Sequence, residues 1–367
     1  MLYTIPLSYN PIDIFKLTEV LSGYAGKHHN QIVTDFEEAF KKITGAAHAV
    51  ALNSGTSAIH LALKVLGVGP GDVVVVPTFT YVATVNPVLY LGAQPVFIDS
   101  ESESWNMDPS LLEKALDDLM REGKKPKAII VVHTYGMPAN MEDIARIGRE
   151  HGIPIVEDAA ESLGSTHHGK SVGLTGDLGV FSFNNNKIVT SYGGGMLVAK
   201  DIQHAKRVRF LASQAREDLP YYEHREVGYN YAISPLSAAY GLSQLPDLRR
   251  NIVLRRRVFE IYREGLSKEV QFQPEKDGRY SNRWFSGILF KDEATKLSIS
   301  SVLMANGIET RPLWNPIHQQ PVYQQFSSYL NTVSDKLFRT GLCLPSSSDL
   351  VPEQQQKVID LVVKSLY

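Results

Sequence analysis

The segment Phe181-Ser182-Phe183-Asn184-Asn185-Asn186-Lys187 brings a lysine to the end of a strand-like run, and Gly193-Gly194-Gly195 then opens a second run, Met196–Ala199. Glycines let backbones approach closely, so the amine of Lys187 is placed to be held in a pocket instead of moving freely in solvent. A held lysine amine serves as a nucleophile toward carbonyl groups or as a general base. Lysines are by default surface charges, so the chemistry depends on what accompanies Lys187.

Two further segments supply companions. Ile155-Val156-Glu157-Asp158-Ala159-Ala160-Glu161 is an apolar run ending in carboxylates. Carboxylates at the C-terminal ends of parallel strands sit where open α/β sheets bind ligands. A buried one can hold a protonated pyridine nitrogen, which makes a cofactor ring an electron sink. Alternation puts Glu157 and Asp158 on opposite faces without saying which face meets the ligand; Asp158 is the better candidate. Asn53-Ser54-Gly55-Thr56-Ser57 lies between a strand-like run and a helical one. Free N–H groups and short hydroxyls at a helix N-terminus form a phosphate site, whereas a simple helix cap calls for one hydroxyl and not the whole cluster.

The elements that must position these residues follow from periodicity. Strand-like runs at Val50–Leu52, Val73–Val76, Pro95–Ile98, Ile129–Val132 and Ile153–Val156 alternate with helical patterns at Ala58–Leu66, Pro109–Leu119 and Met141–His151. Such alternation predicts an α/β fold whose mostly parallel sheet is covered by helices on both faces. After about Tyr231 it fades into two long helical patterns, Pro235–Leu248 and Arg250–Leu266. Strands near Phe272 and Trp284–Phe290, a helix near Leu297–Ala305 and a last helix, Pro352–Leu366, then suggest a smaller α+β portion. The expected division is a large domain over 1–240 and a small C-terminal domain over 241–367.

Composition excludes several function classes. The 367 residues carry 37 basic and 39 acidic side chains, a net charge of −2, so no global field draws in nucleic acid or an anionic membrane. The start, MLYTIPLSYNPIDIF, reads as no signal peptide, and Pro77, Asn86, Pro87, Gln94 and Pro95 break the apolar Val73–Ile98 region, so no spanning helix is expected. The single cysteine, Cys343, cannot form an intrachain disulfide and reads as core packing, as in a protein of the reducing cytoplasm. The pairs His28-His29 and His167-His168 do not place two ligands on one face, so no metal is expected. Gly67-Val68-Gly69-Pro70-Gly71 follows a helix and precedes a strand, the reverse of a dinucleotide turn, and no G-x-S-x-G elbow is present.

Taken in order, NSGTSAIHLAL from Asn53, PTFTYVATVNPVLYLGAQPVFID from Pro77, VVHTYGMPANM from Val131, EDAAESLGS from Glu157, FSFNNNKIVTSYGGGML from Phe181 and GYNY from Gly228 closely resemble the DegT-type (DegT/DnrJ/StrS) sugar-nucleotide aminotransferases. These are a branch of the aspartate-aminotransferase fold, and the resemblance covers nearly the whole chain. It implies a pyridoxal 5'-phosphate enzyme in which Lys187 carries the cofactor as a Schiff base and Asp158 pairs with the pyridine nitrogen. Tyr81 would stack on the ring, and Glu161 would lie near its hydroxyl. Gly55, Thr56 and Ser182 would hold the phosphate, joined by Asn230 of a second subunit in an obligate homodimer.

SNRW from Ser281, RPLWNPIHQQPVY from Arg311 and RTGLCLPSSS from Arg339 look most like the subgroup acting on UDP-linked 4-keto-6-deoxy amino sugars. Arg311, His318 and Tyr135 are the implied substrate contacts, with L-glutamate as the implied amino donor. A GDP- or dTDP-linked 4-keto or 3-keto sugar is the alternative, and a non-catalytic sugar-nucleotide-binding relative is the rival of another class. The dehydratase branch carries histidine where Lys187 stands. This chain departs from the family pattern at Asn185, Ala232 and Asn315, and LSGYAGKHHNQIV from Leu21 lacks the usual tryptophan-containing loop.

Overall fold

A computed structural model describes residues 3–8, 10–28, 30–276 and 278–367, so His29 of the first histidine pair lies outside it. In chain order its main strands are β1 (His48–Leu52), β2 (Val73–Pro77), β3 (Gln94–Ile98), β4 (Ala128–Val132), β5 (Ile155–Asp158), β6 (Leu178–Ser182) and β7 (Gly195–Ala199). They are followed by β8 (Gln271–Phe272), β9 (Ser286–Leu289), β10 (Arg311–Pro312), β11 (Ser328–Tyr329) and β12 (Gly341–Leu344). An eight-stranded sheet runs β1-β7-β6-β5-β4-β2-β3-β11. Every pair from β6 to β11 is parallel, and only β7 is antiparallel to its neighbours. The expected α/β fold with a mostly parallel, helix-flanked sheet is the one observed.

Alternation explains the two covered faces. Val74 and Val76 pack into a core with Leu61 and Leu63 of the helix Gly55–Val65. Val75 between them packs against Leu112, Leu116, Ile144 and Ile147 of the helices Pro109–Arg121 and Met141–His151. These helices are capped by their sequence: Asp108 accepts from Ser110 N–H, Asn140 accepts from Asp143 N–H, and Gly152 closes the latter helix at φ 61°. A third core joins Phe36 and Phe40 to Phe181 and Phe183 on the other side of β6. Strands β8, β9, β12 and β10 form a separate antiparallel sheet, packed with the helices Leu248–Leu266, Glu293–Ala305 and Pro352–Leu366. No helix among the described residues is long and apolar enough to cross a membrane.

Two boundaries differ from expectation for local reasons. The run Ile153–Val156 is displaced to Ile155–Asp158, because Ile153 N–H closes the preceding turn onto Gly148 O (2.9 Å) and Pro154 has no N–H to pair. That shift brings both Glu157 and Asp158 into the strand. The long helix expected over Pro235–Leu248 ends at Gln244, and Pro246 sits in a short 3-10 turn before Leu248–Leu266 begins.

The register of β7 brings strand ends together. Gly195 pairs with Leu52 at the end of β1 and with Ser182 at the end of β6. A Cβ on Gly195 would lie 2.4 Å from both C and O of Ser54, so only glycine permits this approach. Gly195→Ala is therefore expected to lower stability by about 1–3 kcal/mol through overpacking against backbone. Denaturant unfolding checks this; an unchanged midpoint would contradict the close approach.

Candidate active site

At these strand ends a cavity of about 880 Å³ opens between the large sheet and the β9–β12 region. Nine of the residues singled out in the sequence line it: Gly55, Thr56, Tyr81, Tyr135, Asp158, Glu161, Ser182, Lys187 and Arg311. His318 and Asn230 do not. His318 Nδ1 lies 2.7 Å from Thr78 Oγ1, and its Nε2 lies 3.3 Å from Asp335. Asn230 is exposed, and its carbonyl accepts from Asn53 Nδ2 at 3.2 Å.

The choice between the two strand carboxylates is decided by their partners. Glu157 turns away from the cavity into a buried nest, accepting from Gly173 N–H (2.8 Å), Thr175 N–H (2.6 Å) and Gly176 N–H. Its fourth partner is His133 Nε2 at 2.9 Å; His133 Nδ1 accepts from Ala139 N–H, so Nε2 carries the proton. Burial works against the Glu157 charge, but His133 and these amides outweigh it and hold the carboxyl below its usual range. Asp158 faces the cavity. It accepts from Thr84 Oγ1 (2.7 Å) and Ala160 N–H (3.1 Å), and Thr80 Oγ1 lies 2.7 Å behind Thr84 Oγ1. Burial pushes Asp158 above the usual carboxylate range, against the pull of Thr84, Ala160 and Lys187.

Lys187 lies 3.6 Å from Glu161 Oε1, with its amine 4.0 Å from the centroid of the Trp284 ring. Burial lowers its pKa, opposed by the Glu161 and Asp158 charges. Glu161 is pushed up to about 7, chiefly by burial, against the pull of the Lys187 charge and the Tyr135 N–H. The other oxygen of Glu161 accepts from Tyr135 N–H at 2.8 Å. Tyr135 holds φ 55°, a left-handed conformation that costs on the order of 1–3 kcal/mol outside glycine. Besides that bond, its ring is packed against Trp314 (centroids 4.5 Å apart) and its hydroxyl accepts from Trp314 N–H at 3.0 Å.

The phosphate segment forms the opposite wall. Ser54 Oγ caps the helix Gly55–Val65 by accepting from Ser57 N–H, while the N–H groups of Gly55 and Thr56 lie in its first turn, where no helical acceptor exists. A Cβ on Gly55 would lie 3.1 Å from Ser182 Cβ, so any side chain there would fill the cradle. Tyr81 stands at the rim, 59% exposed. Donors for an anion, a buried carboxyl for a ring nitrogen and an amine thus face one cavity, a set that fits pyridoxal phosphate.

Sequence reasoning missed Thr84, Thr80, Trp284 and Asn10 as parts of this site. Thr84 reaches Asp158 through the short 3-10 turn Val82–Thr84, too brief to leave a periodic pattern. Asn10 Nδ2 donates to Lys187 O (3.0 Å) and Asn185 O (2.7 Å), a contact across the chain with no local signal. Cys343, read as core packing, is buried at the cavity wall, and burial pushes its thiol up. Among the described residues no group of three His, Cys, Asp or Glu side chains is arranged to hold a metal.

A mostly parallel sheet with this amine, carboxyl and anion cradle at its strand ends fits the class of pyridoxal phosphate-dependent enzymes. The chain belongs to the DegT/DnrJ/EryC1/StrS aminotransferase family, whose model matches residues 12–363. It is 44% identical to EpsN of Bacillus subtilis, described as a pyridoxal phosphate-dependent aminotransferase, over 90% of this chain and 87% of that protein. It is 35% identical to the GDP-perosamine synthase of Escherichia coli O157:H7, over 88% of this chain and 86% of that one. A DegT/DnrJ/EryC1/StrS aminotransferase from Brucella abortus superposes with a TM-score of 0.89 at 29% identity, over 95% of both chains. The shared family makes this chain a pyridoxal phosphate-dependent aminotransferase.

The Glu161 carboxyl yields a prediction for the cofactor-free protein. Its folded pKa of about 7 exceeds the ordinary 4.5, so folding favours the protonated form, and that stability is lost as pH rises from 4.5 through about 7. Relative to Glu161→Gln, the wild type should lose unfolding free energy over this window and level off above it. Urea titrations at several pH values check this; parallel curves would show that Glu161 is not perturbed.

Proposed function

We propose that this enzyme moves an amino group from L-glutamate to a nucleotide-linked keto sugar, at the 4-keto position of a UDP-4-keto-6-deoxy-N-acetylhexosamine. The observation that carries the amino transfer is the single cavity in which Lys187 and Asp158 face the helix start at Gly55. The sugar assignment rests on the SNRW, RPLWNPIHQQPVY and RTGLCLPSSS segments. A GDP-linked keto sugar is the second reading, supported by the similarity to a GDP-perosamine synthase.

When bound, pyridoxal phosphate supplies an electron sink for the charge left behind when a proton leaves the amino-bearing carbon. Gly55 and Thr56 N–H, with the Ser182 hydroxyl, would hold its phosphate, and Tyr81 would cover its ring. Asp158, tied down by Thr84, would keep the pyridine nitrogen protonated; a positive ring beside it favours its carboxylate form. Glu161 would sit near the ring hydroxyl. Lys187 would hold the cofactor, then take up and return the proton as general base and acid; burial lowers its pKa, the direction that favours a base. Arg311 and Tyr135 line the same cavity and would meet the sugar nucleotide. His318, outside the lining, would serve the substrate through the stretch it anchors: Ile317 N–H donates to Thr78 O (2.8 Å) and His318 N–H to Thr78 Oγ1 (3.2 Å).

We further propose a homodimer in which Asn230 completes the partner's phosphate site. The exposure of Asn230, together with Tyr222 at 78% and Val227 at 81%, supports a surface covered by a second copy.

Purified enzyme should show the visible absorbance of lysine-bound pyridoxal phosphate, and L-glutamate should bleach it; a band that persists would deny glutamate as donor. Lys187→Ala should abolish turnover and leave the fold intact, and retained activity would sink the assignment. Mixing Lys187→Ala with Asn230→Ala subunits should restore part of the activity that each lacks alone, because one of the two hybrid sites is then complete. A screen of UDP-, GDP- and dTDP-linked keto sugars decides the substrate.

A further inference from the structure

Lys187 is seated by more than the charges around it. The indole of Trp284, itself buried, presents its face to the amine at 4.0 Å, and its Nε1–H donates to Asn186 O at 2.8 Å. One side chain therefore holds both the tip of Lys187 and the backbone just before it. Trp284 is fixed in turn: its carbonyl accepts from Arg255 Nη1 (2.6 Å), and its ring stacks on Tyr135 with planes 22° apart. Arg255 is fully buried, and its Nη2 donates to Ser8 Oγ (3.1 Å), which in turn donates to Asn186 O (3.4 Å).

Lys187 must be a free amine whenever a substrate nitrogen has displaced it from the cofactor. We propose that the indole face of Trp284 is the resting platform of the Lys187 amine while that amine is not bonded to the cofactor, making Trp284 a positioning residue for proton transfer. An aromatic face attracts an ammonium and tolerates a neutral amine, so it keeps the group near the reacting carbon in both protonation states. Glu161, 3.6 Å away, and Asp158 are the titratable groups that share the seat. The inference rests on Lys187 being the cofactor lysine.

The test begins with the free amine. In cofactor-free protein, brief acetic anhydride labelling read by peptide mass spectrometry should modify Lys187 slowly in the wild type, at a similar rate in Trp284→Phe, and several-fold faster in Trp284→Leu. Lys296, buried with its amine on Phe338 O, reports global unfolding and should stay unlabelled in all three. If Trp284→Leu labels Lys296 as well, Trp284→Met takes its place in the comparison. In the holoenzyme, Trp284→Leu should lose roughly tenfold in the rate at which saturating glutamate bleaches the band, with the glutamate KM within about threefold, and Trp284→Phe should recover most of that rate. Equal Lys187 labelling in all variants, or equal rate loss in Phe and Leu, would overturn the platform. Borohydride reduction of the wild-type holoenzyme keeps the two assignments apart: cofactor fixed to a peptide other than that of Lys187 would overturn the lysine assignment and the platform with it.

Discussion

An amine taken out of water is the constraint around which this protein is organised. Burial works against the charge on Lys187, and the structure answers with Glu161 at 3.6 Å, Asp158 across the cavity and an aromatic face above. Burial acts on those carboxyls in the opposite sense, lifting both. Glu157, one residue from Asp158, shows the contrast: equally buried, it is stabilised as an anion by His133 and three amides and is used for structure.

Such a balance needs a frame that does not yield. It is built where β7 inserts antiparallel between β1 and β6, so that a strand start meets two strand ends. Gly195 allows the helix start at Gly55 to approach Ser182, and β5 delivers Asp158 from the neighbouring position. The parallel strands supply carboxyl ends, and the one reversed strand closes the anion cradle.

Much of this was legible in the sequence. Strand and helix alternation gave the layered fold because both faces of the sheet are buried and most of its strands read as apolar runs. Lys187, Asp158, Gly55 and Thr56 stood out from the residues around them, and Glu161 and Ser182 through the family resemblance; all six line one cavity. What could not be read arises between distant segments. Thr84 approaches Asp158 from 74 positions away, and Asn10 reaches Lys187 across 177. Opposite faces for Glu157 and Asp158 followed from alternation, but which of them met the cavity depended on Gly173, Thr175 and Gly176. Pro154 and Pro246 moved element boundaries by removing N–H groups that apolar patterns ignore.

The segment formed by residues 4–8, with Asn10, has a bearing on how the protein is made. It ties to the lysine loop through Ser8 and Asn10, while its own hold comes from Gly307, Glu309 and Ser346. On the ribosome the first of these pieces is synthesised more than three hundred residues before the last. The lysine loop and the segment that holds it therefore gain their full set of ties only after Ser346 has left the exit tunnel, and a nascent chain that already contains the entire large sheet still lacks a finished cavity.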